Sequence, residues 1–179
     1  MNKFKRKNFL KINLDVVKTL FEKQERIILS LFFLLTFIST STAGEIKGFS
    51  KVIDGDTVRI NVNKIRLSGI DAPEKKQTCT RSGRKYSCGT ESTEALLKII
   101  EKKIITCNVE PNKDRYGRFI GICFIEEINI NRWMVRNGHA VAYRRYSKEY
   151  IQDEEYAKKE KKGLWSGTFL EPEKWRKLN

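Results

Sequence analysis

The stretch IDGDTVRINVNKIRLSGIDAPE, residues 53–74, places charged side chains inside a strand-like apolar pattern. Its β-branched runs are interrupted at Asp54-Gly55-Asp56, where a turn or bulge brings two acidic side chains to a strand edge. Alternation resumes at Thr57 and again at Ile65, which predicts two strands joined by a short turn around Asn63. Charge is costly to place near an apolar core, so this pattern indicates a functional site.

The end of this stretch brings two more carboxylates together. The second strand is predicted to end at Asp71, and Pro73 fixes a sharp exit that holds Asp71 close to Glu74. Carboxylate oxygens at a strand end are the ligands of a hard cation. We also expect one face of the first strand to carry its apolar side chains, Val58, Ile60 and Val62.

The chain beyond this stretch alternates helices with a further strand pair. Strands are predicted over residues 104–110 and 118–125, joined by a turn that contains DRYG. Helical patterns follow the usual start and stop signals. They predict one helix from Thr90, a second after Asn129 that stops at Gly138, and a third over residues 147–162.

Four cysteines, Cys79, Cys88, Cys107 and Cys123, allow three complete pairings. Cys107 and Cys123 are equally distant from Arg115 in the predicted turn, so the strand pair would place them opposite each other. Cys79 and Cys88 would then close the intervening loop. The sequence alone does not prove this pairing, but the absence of a CxxC spacing argues against zinc.

The N-terminal segment, residues 1–43, has the pattern of an export signal. Residues 1–26 are rich in Lys and Arg, residues 27–38 are nearly all apolar, and residues 39–43 resemble a signal-peptidase site. The apolar run is shorter than the roughly 20 residues that span a bilayer, so we expect cleavage and a secreted or periplasmic protein. The alternative is a membrane anchor formed by uncleaved residues 27–43, because the preceding basic region is unusually long.

Charge and composition narrow the function further. Removing residues 1–43 removes eight Lys or Arg and three Asp or Glu, which lowers the formal net charge from +14 to +9. Such a charge favours polyanionic partners, nucleic acid first and anionic membrane second, although a generally solvated basic surface is the alternative. A lone histidine, His139, excludes a His-pair mechanism, and no GxSxG stretch supports a serine nucleophile. The chemistry therefore depends on carboxylates and arginines.

The motifs IDGDTV and RLSGIDAPE, with three later blocks, resemble the staphylococcal nuclease (thermonuclease) family. The later blocks are DRYGR at residues 114–118, NRWMVRNGHAVAY at 131–143 and KKEKKGLW at 158–165. The resemblance implies an α+β fold, a five-stranded OB-type β-barrel with three helices. It covers residues 44–165, which we expect to be the nuclease domain, between the export signal or anchor and a C-terminal tail, residues 166–179, that packs on it.

The same resemblance implies a calcium site and its catalytic groups. Asp56 and Asp71 would bind Ca²⁺ with the backbone carbonyl of Ala72, and Asp54 would orient the ligands or their waters. Glu74 would be the general base, and Arg66 and Arg118 would hold the phosphate. The residues expected to contact the nucleotide are Arg115, Tyr116, Tyr143 and Tyr146.

These features together predict an exported, monomeric, Ca²⁺-dependent endonuclease that hydrolyses DNA and RNA with little sequence preference and no organic cofactor. A non-catalytic OB-type module that binds single-stranded nucleic acid is the first alternative. A basic scaffold anchored in the cell envelope is another, but it leaves the acidic cluster unexplained. Each motif also has a local alternative: Asp54-Gly55-Asp56 as a simple hairpin turn, Arg66 as an edge-strand charge, and residues 114–118 as a basic turn.

Overall fold

The computed structural model of the protein describes residues 44–179, together with the isolated positions Lys18 and Gln24. The expected export signal, residues 1–43, lies outside the described residues apart from those two positions. No helix in the described part of the chain has both the length and the apolar character needed to cross a membrane.

The described region opens with six strands, after which helices and strands are interleaved. The strands are β1 (Gly44–Asp54), β2 (Thr57–Ile60), β3 (Asn63–Leu67), β4 (Ile70–Asp71), β5 (Cys79–Arg81), β6 (Arg84–Tyr86), β7 (Ile104–Lys113), β8 (Phe119–Ile125), β9 (Ile128–Asn129) and β10 (Val141–Ala142). The α-helices are α1 (Cys88–Ile100), α2 (Ile130–Arg136), α3 (Ile151–Lys159) and α4 (Pro172–Leu178), with a 3₁₀ helix over Gly163–Ser166 before α4.

Five of these strands close into a barrel. They follow the antiparallel order β3-β2-β1-β7-β8, and β3 then pairs with β8 in parallel to complete the closure. This mixed five-stranded barrel with helices confirms the predicted α+β, OB-type fold. The described residues contain four α-helices where three were predicted, because the tail forms α4 with Pro172 in its first turn.

Side chains from alternate strand positions fill the barrel, as the sequence pattern predicts. Val58, Ile60, Ile65 and Leu67 are each at most 1% exposed and pack with apolar residues of α1. Burying each such side chain contributes roughly 1.5–3 kcal/mol. Val62 was expected on the same face but is 90% exposed, because β2 ends at Ile60 and the chain turns there.

Two helix boundaries differ from the sequence prediction. The first helix, α1, begins at Cys88, ahead of the predicted Thr90. The third, α3, begins at Ile151, after the predicted residue 147, because the Glu149 N–H donates to Ser147 Oγ and the chain forms a turn there. Lys161 then takes a positive φ of 51°, which ends helical geometry before the predicted residue 162.

Both predicted disulfides are present. Cys107 lies opposite Cys123 in the register of β7 and β8, as the symmetric placement about the turn requires. Cys79 is bonded to Cys88 and ties β5 to the first residue of α1. The second bridge therefore closes the loop that follows Glu74.

His139 is partly buried against Trp133, with their ring centroids 5.5 Å apart, and this burial lowers its pKa below the ordinary 6.5. His139 therefore binds a proton more readily in the unfolded chain than in the folded one. The contribution of the neutral imidazole to the free energy of unfolding is present above pH 6.5 and is lost as the pH falls through the lower folded-state pKa. We expect the imidazole proton resonances to titrate with a midpoint below 6.5 by ¹H NMR. A midpoint at or above 6.5 would contradict this, and the assignment is secure because His139 is the chain's only histidine.

Candidate active site

Two buried carboxylates meet at one arginine on the barrel. Asp56, 5% exposed, precedes β2, and Asp71, 1% exposed, ends β4. Arg66 Nη1 donates to Asp56 Oδ1, and Arg66 Nη2 donates to Asp71 Oδ1 at 3.0 Å. Burial alone would lower the pKa of Arg66, but the charges of Asp56 and Asp71 outweigh the effect of burial, and the pKa is raised above its ordinary value. The guanidinium is therefore a fixed positive charge between two acids.

Backbone pairing explains why these three residues meet. Thr57 lies opposite Arg66 in the β2–β3 register, which puts the guanidinium beside the preceding Asp56. The Ala72 N–H donates to Asp56 Oδ2 at 3.1 Å and ties the two carboxylate segments together. A side chain at Gly55 would lie 2.1 Å from Ser92 Oγ of α1, so only glycine lets this turn approach the helix.

Asp54 lies behind Asp56 and shapes the turn. The Asp56 N–H donates to Asp54 Oδ1 at 3.1 Å, an interaction typical of an Asx turn. Burial, with a contribution from the charge of Asp56, raises the pKa of Asp54 to about 6. The carboxyl group is placed to orient its neighbours rather than to contact a substrate directly.

The donor set of this region suits a hard cation only if other molecules complete the shell. Among the described residues, no group of three or more His, Cys, Asp and Glu side chains has metal-site geometry. The predicted ligands are two carboxylates, Asp56 and Asp71, and the carbonyl of Ala72. Ca²⁺ takes 6–8 oxygen ligands, so water and substrate oxygens would have to supply most of them. Open coordination of this kind fits a site that binds its substrate through the ion.

Glu74 follows Pro73 on a loop that is fixed from two sides. The Glu74 N–H donates to Gln77 Oε1 at 3.2 Å, and the fully buried Gln77 side chain donates to the Leu170 carbonyl at 2.6 Å. A side chain at Gly89 would lie 1.8 Å from the Glu74 carbonyl oxygen, so α1 packs directly on this loop. The Glu74 side chain itself is 36% exposed. Its carboxylate is therefore held near the acids yet open to solvent.

Arg118 reaches the same region through the tight turn that joins β7 to β8. Asp114 organises this turn, since its carboxylate accepts the Arg118 N–H and, at 2.8 Å, Arg118 Nη2. These hydrogen bonds from Arg118 lower the pKa of Asp114 despite partial burial. Because Phe119 pairs with Ile65 in the parallel closure, Arg118 and Arg66 emerge at the same mouth of the barrel.

A cavity of about 1400 Å³ joins these groups. It is lined by most of the predicted site residues, namely Arg66, Glu74, Arg115, Tyr116, Arg118, Tyr143 and Tyr146. The buried Asp56 and Asp71 are joined to the cavity by their ion pairs with Arg66. Asp54 and Ala72 are each linked to Asp56 by one hydrogen bond. The structure thus brings the whole predicted set into one region.

The tyrosines present aromatic surface around the cavity. Tyr116 is 64% exposed and Tyr146 is 68% exposed, so both rings are open to solvent at the cavity. Tyr143 contacts Tyr146 edge to face at 4.8 Å between centroids and lies 5.9 Å from the Arg66 guanidinium. Glu154, buried in α3, accepts the Ala142 N–H and so fixes the strand that delivers Tyr143.

Sequence reasoning missed two residues that act at this site. No sequence signal indicates that Gln77 is buried, because its neighbours in the sequence form a polar loop. Arg176 donates to both oxygens of Asp71 at 2.9 Å and to Glu74 Oε1 at 2.8 Å. Pro172 signals the helix that carries Arg176, but no local pattern predicts the contact with residues a hundred positions earlier.

The closed barrel, with carboxylates, arginines and exposed aromatic rings at one mouth, defines an OB-type barrel protein whose mouth carries groups able to contact phosphates and bases. A profile described as "Staphylococcal nuclease homologue" matches residues 64–167. The chain belongs to this staphylococcal nuclease family, which confirms the resemblance found in its motifs.

Curated relatives agree with the assignment. The chain is 33% identical over 163 residues to an uncharacterized endonuclease of Haemophilus influenzae, covering 85% of this chain and 86% of the relative. It is 33% identical over 147 residues to a micrococcal nuclease of Shigella flexneri, covering 72% and 79%. It is also 36% identical over 135 residues to the succinoglycan biosynthesis protein ExoI of Rhizobium meliloti, covering 74% and 71%. The shared family is therefore one of nucleases, with relatives named for other processes.

Proposed function

We propose that this protein is an exported, Ca²⁺-dependent endonuclease that hydrolyses phosphodiester bonds of DNA and RNA with little sequence preference. The observation that carries the proposal is the convergence of Arg66, Arg118 and Glu74 on one cavity, directly in front of the buried Asp56 and Asp71. Hydrolysis of a phosphodiester needs a base, a cation and fixed donors to the phosphate, and this cavity offers groups for each.

The arginines have the form needed to bind a phosphate. Each guanidinium offers planar paired donors that match two phosphate oxygens, which a lysine does not reproduce. Arg66 is oriented by Asp56 and Asp71, and Arg118 by Asp114. These carboxylates fix the two guanidiniums but also engage Arg66 Nη1 and Nη2 and Arg118 Nε and Nη2, so a phosphate would bind the remaining N–H groups or displace a carboxylate.

Glu74 is placed to act on water. Its carboxylate would take a proton from the attacking water as the new P–O bond forms, and the P–O bond to the leaving oxygen then breaks, with that oxygen receiving a proton. The half-exposed position of Glu74 lets water reach it, while the Gln77 anchor limits its movement. Bound Ca²⁺ would supply Lewis-acid stabilisation of the phosphate charge, held by Asp56, Asp71 and the Ala72 carbonyl.

The proposed breadth of substrate follows from what lines the cavity. Arginines contact phosphates, and exposed rings such as Tyr116 and Tyr146 stack on any base, so neither reads a base edge. The proposal includes action as a monomer. We propose export on two grounds: the sequence pattern of the N-terminal segment, and the compatibility of the two disulfides with an oxidising compartment.

Metal removal tests the proposal directly. We expect the purified, oxidised protein to cut single-stranded DNA and RNA of the same sequence in Ca²⁺. We expect the rate to fall by at least about a thousandfold in EGTA, because the ion contributes several kcal/mol to the transition state. Activity should return when excess Ca²⁺ is added, as measured on end-labelled oligonucleotides.

The same assay separates the enzyme from a binding module. Tight binding of the oligonucleotide by the folded protein, with no cleavage in Ca²⁺, would refute the catalytic proposal in favour of a non-catalytic single-strand binder. Cleavage that is indifferent to EGTA would instead refute the role of the metal.

A further inference from the structure

The C-terminal helix α4 delivers a third arginine to the acidic centre of the site. Arg176 Nη1 donates to Asp71 Oδ1 at 2.9 Å and to Glu74 Oε1 at 2.8 Å, and Arg176 Nη2 donates to Asp71 Oδ2 at 2.9 Å. The Arg176 guanidinium therefore binds both oxygens of Asp71 and also contacts Glu74. Bidentate binding is the strongest geometry between an arginine and a carboxylate. One guanidinium joins a predicted metal ligand to the predicted base.

Other contacts hold α4 at this place. Pro172 is buried at the start of the helix, and the Leu170 carbonyl just before it accepts the buried side-chain amide of Gln77. Gln77 in turn accepts the Glu74 N–H, so the loop that carries the base also secures the approach to α4. The contact of Arg176 with the site is thus supported by a buried network, and does not depend on one exposed ion pair.

The fork and a metal ion would require the same oxygens. Asp71 is 1% exposed, and its Oδ1 already accepts from Arg66 and Arg176 while its Oδ2 accepts from Arg176. A calcium ligand must direct an oxygen lone pair at the ion, and two cations at one carboxylate oxygen repel each other. Arg66 contacts only one oxygen of each acid, Asp56 Oδ1 and Asp71 Oδ1, whereas Arg176 occupies both oxygens of Asp71.

We propose that Arg176 is a built-in competitor of the divalent cation: it neutralises Asp71 and Glu74 in the metal-free protein, and α4 must release it before the ion is fully bound. This inference rests on the proposed Ca²⁺ site. It goes further in making the C-terminal helix a latch whose position depends on the metal. Because coupling between two binding events is reciprocal, Ca²⁺ loosens α4 as much as α4 weakens Ca²⁺.

The test is a calorimetric titration of the full chain with Ca²⁺ in the absence of nucleic acid. We expect Arg176→Gln to lower the Kd for Ca²⁺ by about tenfold, and Arg176→Lys, which keeps the charge without the fork, to lower it less. The matched control is Lys174→Gln, on the same helix with the same loss of charge, since Lys174 pairs with Glu171 at the surface. It should change the Kd by less than about twofold.

A second readout follows the helix itself. We expect hydrogen exchange in residues 172–178 of the wild-type protein to accelerate on adding Ca²⁺, and in Arg176→Gln to be fast with or without the ion. Arg176→Gln with unchanged or weaker Ca²⁺ binding than Lys174→Gln would overturn the inference, as would α4 exchange that is insensitive to Ca²⁺. Absence of Ca²⁺ binding in all variants would overturn the proposed metal site itself, and the inference with it.

Discussion

Glu74→Gln is expected to lower kcat/KM for single-stranded DNA by about 10²–10⁴-fold, because a general base contributes a factor of this size. The amide keeps the size of the side chain and can still contact Arg176, but it cannot accept the proton of the attacking water. Substrate binding should change little, since Arg66 and Arg118 supply the phosphate contacts of the proposal. The measurement is steady-state cleavage in Ca²⁺, with binding followed separately in EGTA.

Glu101→Gln is the matched control for this variant. Glu101 is exposed in the turn after α1 and is not among the residues that line the cavity. Its replacement by Gln removes the same charge as Glu74→Gln. Its kcat/KM should stay within about twofold of the wild-type value. If Glu74→Gln retained activity like that control, Glu74 would not be the base, and water would have to be activated by another group of the site.

Asn131→Leu should destabilise the fold by about 3–5 kcal/mol. Asn131 is fully buried in α2, accepts the Cys123 N–H at 3.1 Å, and donates to the carbonyls of Ser68 at 2.9 Å and Gly121 at 3.2 Å. Leucine has a similar volume but removes the partner of the Cys123 N–H and of the Ser68 carbonyl, and each buried unpaired polar group costs about 1–3 kcal/mol. The Gly121 carbonyl still accepts the Ser68 N–H at 2.7 Å. The side chain thus joins the barrel closure to the turn that follows β3.

Thermal and urea unfolding of Asn131→Leu would measure this loss, which corresponds to a fall in Tm of roughly 10 °C for a chain of this size. Asn108→Leu makes the same substitution at an exposed position of β7 and is the control. A loss of stability in Asn131→Leu no greater than in Asn108→Leu would show that these hydrogen bonds add no net stability. Activity should fall with stability, because Ser68 lines the catalytic cavity.

Much of the barrel was predictable because its strands carry local signals. Alternation identified β2 and β3, and the turn at residues 114–118 fixed the register that brings Cys107 to Cys123. The prediction for Val62 failed because a local backbone conformation ends β2 early. Val62 continues the alternation in sequence, yet it lies beyond the end of β2 in a turn where Asn61 has a positive φ of 51°.

The candidate site divides in the same way. Asp71 and Glu74 come from one continuous stretch, so the strand end and Pro73 predict that they lie close together, whereas the place of Arg66 at the site was implied by the family resemblance. Gln77 and Arg176 act through partners about a hundred positions away, and such contacts arise only from the packed fold. Their physical signature, a polar side chain held by specific distant partners, has no counterpart in sequence periodicity.

The parallel pairing of β3 with β8 also bears on when the proposed site can assemble during synthesis. The pairing of β3 with β2 is local, but the barrel closes only when residues 119–121 lie beside residues 65–67. A nascent chain that has not reached this segment therefore holds Arg66 and Glu74 without Arg118 at the same mouth. If the chain is exported unfolded, as we propose, nucleic acid inside the cell would meet only the unassembled site.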